Sequence, residues 1–294
     1  MSTGRRPSGI VARTPPGALV ILGQPVAQSL SPLFQNAALQ ASHPGVHYAR
    51  REVAADDLDR VLAECRAANC GGNVTMPHKF AVCERASNRT ETATRTGAVN
   101  TFWWEDGALF GHNTDVDGIV ATVRALCPDG VRGDVVVLGA GGAAASVLVA
   151  LESARRAGAG RTIVLARAPG RATALIARVA VDARVAANAG DIAWPRVGLV
   201  INATPVGMTP GDAVPLSTEW LSAHAAVFDL VYKREGTRWV QEARARGLLA
   251  EDGLRMLVEQ GASAFETWFG VAAPRAEMWR ALGEPMPPDL SVRR

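Results

Sequence analysis

Apolar and polar positions alternate along the chain in a way that predicts most of its elements. ALVILG (18–23) is a short apolar run and predicts a buried strand ending at Gly23. SPLFQNAALQAS (31–42) has helical spacing, with Pro32 in the first turn, where a missing N–H costs nothing. HYARREV (47–53) alternates as a strand does, and AADDLDRVLAECRAA (54–68) has acids in its first turn followed by helical periodicity. GGNVTMP (71–77) reads as another strand. In AVNTFWWEDGALFGHN, Asp106-Gly107 lies between two strand-like runs, which predicts a hairpin. Strands alternating with helices predict an α/β layer.

The second half has a different rhythm. DGIVATVRAL reads as a helix capped by Asp117. DVVVLGAGGAAASVLVALESA (134–154) follows as strand, glycine turn and long small-residue helix. RTIVLAR (161–167), GLVINAT (198–204) and AAVFDLVY (225–232) supply three further apolar strands, with helical stretches between them. This is the βαβ rhythm of a parallel, doubly wound sheet. From Gly253 the chain is helical and outside that rhythm, so it is expected to cross back to the first domain. The expected fold is α/β in two domains with a cleft between them, one of residues 18–116 and 253–294, the other of 117–252.

Composition narrows what such a chain can do. Its 294 residues suit two domains, and a net charge of +3, spread without runs of like charge, argues against nucleic acid. No apolar run is long enough to span a membrane. Cys65, Cys70, Cys83 and Cys127 form no CxxC pair and no metal spacing, so free thiols in a reducing cytoplasm are expected. Residues 1–17 are basic, contain no acid and carry three prolines, which predicts a disordered tail.

Two stretches carry chemistry. Gly139-Ala140-Gly141-Gly142-Ala143 joins an apolar strand to a helix, the context in which a glycine turn lets a dinucleotide pyrophosphate approach backbone amides. The usual third glycine is Ala144. No acid stands between Arg161 and Val181, where an NAD site would hold the ribose hydroxyls; Arg167 and Arg171 suit the 2′-phosphate of NADP instead. The alternative readings are a glycine turn that only packs helix on strand, and arginines that are solvated charges. The second stretch is GGNVTMPHKF (71–80). It holds Lys79, one of only two lysines in a chain that otherwise writes its positive charges as arginine. Arginine does not give up its proton, whereas a desolvated lysine does, so the spelling hints at proton transfer. GHNTDVDG (111–118) offers Asp115 as the carboxylate to hold such an ammonium. Spacing alone does not bring the two together.

In its blocks and their order, the chain resembles the shikimate dehydrogenase family. The matching blocks are GQPVAQSLSP (23–32), GGNVTMPHK (71–79), GAVNT (97–101), GHNTDVDG (111–118), GAGGA (139–143), INATPVGM (201–208), DLVY (229–232) and DGLRMLVEQGASAF (252–265). The resemblance implies a substrate-binding domain and a Rossmann-type NADP domain, and NADPH-dependent reduction of 3-dehydroshikimate to shikimate in aromatic amino acid biosynthesis. It implies Lys79 and Asp115 as the catalytic pair and Ser29 and Ser31 on the substrate carboxylate. Asn73, Thr75, Asn100 and Gln260 would face the ring hydroxyls, with Tyr232 near the carboxylate. Thr204, Met208 and Gly253 would stand at the cofactor beside the glycine loop. The partner implied is a small molecule, and a homodimer is compatible with the pattern.

The sequence also departs from the family. Gln28 and Gln35 stand where histidines are common, Ala166 and Ala168 flank Arg167 in place of polar residues, and Lys233-Arg234 replace prolines. Arg255 replaces a glycine. About 500° of helical rotation separates it from Gln260, so it is expected to face solvent or the domain seam. The rival functions are the same chemistry on quinate or an aminoshikimate, and a catalytically silent binding protein on the same fold.

Overall fold

The computed structural model describes residues 11–154, 160–209 and 211–287. Of these, the residues up to Asp115 and from Val258 onward form one compact unit, and Val116–Leu257 form another. The expected divisions were 116/117 and 252/253.

The first unit begins with β1 (Ala18–Gly23), α1 (Ser31–Ser42), β2 (Tyr48–Glu52), α2 (Leu58–Ala67) and β3 (Cys70–Val74). Next come α3 (Lys79–Arg85), β4 (Asn88–Arg89), α4 (Glu91–Thr96), β5 (Thr101–Glu105) and β6 (Ala108–His112). The strands form one sheet in the order β2-β1-β3-β5-β6-β4. β1 pairs parallel with β2 and β3, whereas β5 runs antiparallel to both β3 and β6. The hairpin falls at Asp106 and Gly107, both at positive φ, as a two-residue turn between twisted strands requires. Gly72 closes β1 onto β3: a side chain there would run into the Val20 carbonyl.

Residues 11–17 depart from the expected tail. The Ala12 amide donates to the Thr267 carbonyl, the Arg13 amide donates to Glu105, and the Asn69 side chain donates to the Pro15 carbonyl. Ala12 is buried. Basic, proline-rich composition predicts disorder only where no backbone partner is available, and here three elements supply one.

The second unit contains α5 (Asp115–Leu126), β7 (Asp134–Leu138), α6 (Gly142–Ala154), β8 (Thr162–Leu165), α7 (Pro169–Val179) and β9 (Ala183–Ala186). β10 (Val197–Asn202), β11 (Ala226–Asp229), α8 (Arg238–Ala245) and β12 (Ala250–Glu251) complete it. The sheet order is β12-β11-β10-β7-β8-β9, all parallel, a doubly wound topology. Its central strands β7, β10 and β11 are buried on both faces. Val135 and Val137 point into one core and Val136 and Leu138 into the other, which is why DVVVL is continuously apolar rather than alternating. β4, β9 and β12 were not expected; two are only two residues long, and ARVA carries no apolar run.

α5 starts at Asp115, two residues before the expected start, so Asp117 lies inside the first turn and is not the cap. Asn113 takes that position: its side-chain oxygen accepts the Asp115 amide at 3.2 Å. The chain ends with α9 (Leu254–Phe269) and α10 (Arg275–Ala281). α9 returns to the first unit from Val258 on, where Trp268 donates to the Phe102 carbonyl and α10 packs on α1. Arg275 ties α10 to α9 through Glu259 and Glu266 at 3.1 and 2.6 Å.

Candidate active site

In the first unit one hydrogen-bonded chain runs through four of the candidate residues. Lys79, at the start of α3, donates from Nζ to Asp115 Oδ2 at 2.6 Å. Asn100, just before β5, donates from Nδ2 to Asp115 Oδ1 at 2.8 Å and to Gln260 Oε1 at 3.3 Å. Both carboxylate oxygens of Asp115 are therefore met by donors, an arrangement that fixes the carboxylate and aims it at the ammonium. Lys79 and Asp115 stay partly open to solvent, with side-chain exposures of 29% and 14%.

The orientation of Asn100 is set by its other end. Its Oδ1 accepts the Thr114 amide at 2.7 Å and lies near the hydroxyls of Thr114 and Thr101. Turning the amide over would set NH₂ against the Thr114 N–H and oxygen against the Asp115 carboxylate. Asn73, on β3, donates to the Asn100 carbonyl and to Thr101 Oγ1, both at 3.0 Å, and its Oδ1 accepts the Tyr48 hydroxyl at 2.6 Å. Both N–H groups of Asn73 are thus committed, and its oxygen keeps one lone pair to accept with. Burial holds the Tyr48 phenol well above its ordinary pKa, against an opposing hydrogen bond from Ser31.

Ser31 opens α1 and is buried; its amide donates to Ser29 Oγ at 3.3 Å. Thr75 is half-buried, its amide bonded to the Leu22 carbonyl and its carbonyl to the His78 amide. Gln35 donates from Nε2 to the Gly261 carbonyl at 2.8 Å, so α1 grips α9 beside Gln260. Gln28 is exposed.

In the second unit the glycine loop sits between β7 and α6. Gly139 has φ +106°, and a side chain there would meet Thr204 and the Ala203 carbonyl, so the turn needs a glycine. At Gly141 a Cβ would touch nothing, which leaves open space over the loop and the α6 N-terminus. Arg167 and Arg171 are exposed beyond β8, and β8 ends without an acid. An open glycine cradle at a helix N-terminus with two exposed arginines fits a dinucleotide bearing an extra phosphate. Thr204 is fixed by Asn202, whose Oδ1 accepts its hydroxyl at 2.6 Å and its amide at 3.0 Å. Met208 is exposed. Tyr232 is half-buried, its phenol pushed up by burial.

Residues 21–102 match the model of the shikimate dehydrogenase substrate binding domain, and residues 253–282 that of the shikimate 5′-dehydrogenase C-terminal domain. The chain is 39% identical over 279 residues to the shikimate dehydrogenase (NADP(+)) of Moorella thermoacetica, covering 92% of this chain and 94% of that protein. The protein of the same name from Symbiobacterium thermophilum is 40% identical over 274 residues, 90% and 92% of the two chains. The chain belongs to the shikimate dehydrogenase family. The structure of the Thermus thermophilus shikimate 5-dehydrogenase, in complex with NADP(H) and shikimate, matches with a TM-score of 0.81 at 36% identity, covering 90% of this chain and 98% of that one.

Within the shikimate dehydrogenase frame two positions need correction or a second reading. Arg255 does not face solvent. It is buried, and its Nη2 lies 3.3 Å from Glu251 Oε1. The rotation argument separates it from Gln260 but says nothing of Glu251, four residues earlier on β12, which lies within reach of the guanidinium. Gly253 is required by space: a side chain would strike the Leu230 carbonyl, and its amide bonds the Val231 carbonyl at 3.1 Å. Sequence reasoning missed Tyr48, Thr101 and Thr114, which orient the asparagines. Thr101 and Thr114 each stand beside a candidate, in GAVNT and GHNTD, and that adjacency was the available signal.

Proposed function

We propose that this chain is a shikimate dehydrogenase that reversibly reduces 3-dehydroshikimate to shikimate with NADPH, with the catalytic work divided as follows. The observation that carries the reading is the 2.6 Å pair of Lys79 and Asp115 in a chain of this family. Bound NADPH supplies the hydride. What the chain itself must supply is a proton at the ring oxygen that becomes an alkoxide, and a substrate held so that only one ring carbon reacts. Lys79 Nζ is that proton donor in reduction and the acceptor in oxidation. Asp115, fixed by Asn100, keeps the ammonium aimed and offsets its charge.

Asn73 accepts from one ring hydroxyl through its remaining lone pair, while Gln260 and Thr75 serve the others. A site built this way rejects analogues that lack a hydroxyl, because a buried polar group would be left unpaired. Ser29 and Ser31 take the carboxylate at the start of α1, with Tyr232 as a further contact. In the second unit Gly139, Ala140, Gly141, Gly142 and Ala143 hold the pyrophosphate, Arg167 and Arg171 the 2′-phosphate, and Thr204, Met208 and Gly253 border the nicotinamide end. A cytoplasmic location is supported by four cysteines that form no disulfide.

The test is substitution of Lys79. Lys79→Ala should lower kcat by about 10² to 10⁴ while the dissociation constant for shikimate stays within a few-fold. Lys79→Arg should be nearly as damaging, since it keeps the charge and withholds the proton. A kcat loss below about tenfold in Lys79→Ala would contradict the assignment.

A further inference from the structure

The turn that ends α2 brings two thiols together. Ala68 caps the helix, Asn69 follows in the left-handed region at φ +46°, and the Asn69 amide bonds the Arg66 carbonyl at 3.2 Å. This helix stop folds the second residue after the cap over the third residue from the helix end. Here those residues are Cys70 and Cys65. Both side chains pack into one apolar cluster, Cys65 buried and Cys70 half-buried, with Cys70 Sγ donating to the Gly71 carbonyl at 3.4 Å. Arg51 adds a nearby positive charge, which the Glu64 carboxylate paired to it opposes at Cys65. The two thiols act on each other, which lowers the first proton loss of the pair below that of an ordinary thiol and raises the second. Cys83 and Cys127 have no such partner thiol, and burial raises both.

We infer that Cys65 and Cys70 form an oxidant-reactive dithiol, a modification site that closes to an internal disulfide with hydrogen peroxide. The thiolate attacks one peroxide oxygen; the O–O bond breaks, a sulfenic acid forms, and the departing hydroxide takes a proton to become water. The second thiol then attacks the sulfenic sulfur. The S–S bond forms, the S–O bond breaks, and the leaving hydroxide takes the thiol proton as a second water. Two thiols are oxidised and one peroxide is reduced. Whichever sulfur takes the oxygen, its neighbour resolves it. β3 starts at Cys70, carries Asn73 and runs into Thr75, so closure bears on the segment that holds two proposed substrate residues. This consequence for activity rests on the function proposed above.

The full-length protein is treated with one equivalent of hydrogen peroxide, digested without reduction, and read by mass spectrometry. The expected result is a loss of about 2 Da confined to the segment holding Cys65 and Cys70, reversed by dithiothreitol, and formed about tenfold faster than any change at Cys83 or Cys127. In Cys65→Ser or Cys70→Ser the loss disappears and an oxygen adduct remains on the other thiol. In the parent the KM for shikimate rises on oxidation and recovers on reduction. A single-cysteine oxygen adduct in the parent, or equal reaction at all four cysteines, would overturn the inference. The mass reading is independent of the substrate, so a chain inactive on shikimate would count against the proposed function alone.

Discussion

Asn100 shows how much a single buried amide decides. Its nitrogen serves Asp115 and Gln260 and its oxygen serves the Thr114 amide, so it orients the carboxylate and ties it to the residue brought by α9. Arg167 is the opposite case: an exposed cation with no hydrogen bond or ion pair to the described residues, available for a ligand. Charged hydrogen bonds contribute about 1.5–3 kcal/mol, or roughly one to two decades of selectivity. Initial-rate kinetics on Arg167→Ala should therefore show the KM for NADP⁺ raised by about ten- to a hundredfold, with the KM for NAD⁺ nearly unchanged. An equal loss with both cofactors would show that Arg167 supports the loop or the pyrophosphate instead.

Among the elements, α1 and α9 cross where Gly261 faces the Phe34 ring, and any Cβ at 261 would collide with that ring and crowd Gln35 Nε2 at 3.1 Å. Gly261→Ala should lower unfolding stability in denaturant by up to about 2 kcal/mol, an overpacking cost of about 1–3 kcal/mol outweighing the gain in helix propensity of about 1 kcal/mol. An unchanged or raised midpoint would mean that the crossing has slack. The end of β11 offers a pH test. Burial holds the Asp229 carboxyl above the ordinary aspartate range, against donors from Thr237, Asn202 and the Val231 amide. Its folded pKa exceeds the unfolded one, so its contribution to stability is full below the unfolded value and is lost as pH rises through the folded value. The stability of the parent minus that of Asp229→Asn should accordingly shrink as pH rises from about 4 towards neutrality. A difference that does not vary with pH would contradict the assignment.

Sequence pattern showed the elements that bury long apolar faces: β1, α1, the Asp106-Gly107 hairpin, and β7 with its glycine turn. It did not show β4, β9 or β12, whose existence depends on a neighbouring strand rather than on their own residues. It placed a disordered tail where backbone partners hold residues 11–17, and offered solvent as one of two places for Arg255, which is buried beside Glu251. Lys79 stood out by its spelling, but its meeting with Asp115, 36 residues on, followed only from the resemblance. Tyr48, Thr101 and Thr114 act through other side chains, and no spacing rule reports such contacts.

For the whole molecule, an α/β unit with a polar chain around Lys79 and a doubly wound unit with an open glycine cradle together call for a dehydrogenase of a small polyhydroxy acid. The most direct measurement is the initial rate of nicotinamide reduction by the purified protein with shikimate or quinate, each paired with NADP⁺ or NAD⁺. The account predicts the highest kcat/KM for shikimate with NADP⁺, falling by at least about tenfold when NAD⁺ replaces NADP⁺ and falling again with quinate. No turnover in any of the four pairings, or a preference for quinate with NAD⁺, would contradict it.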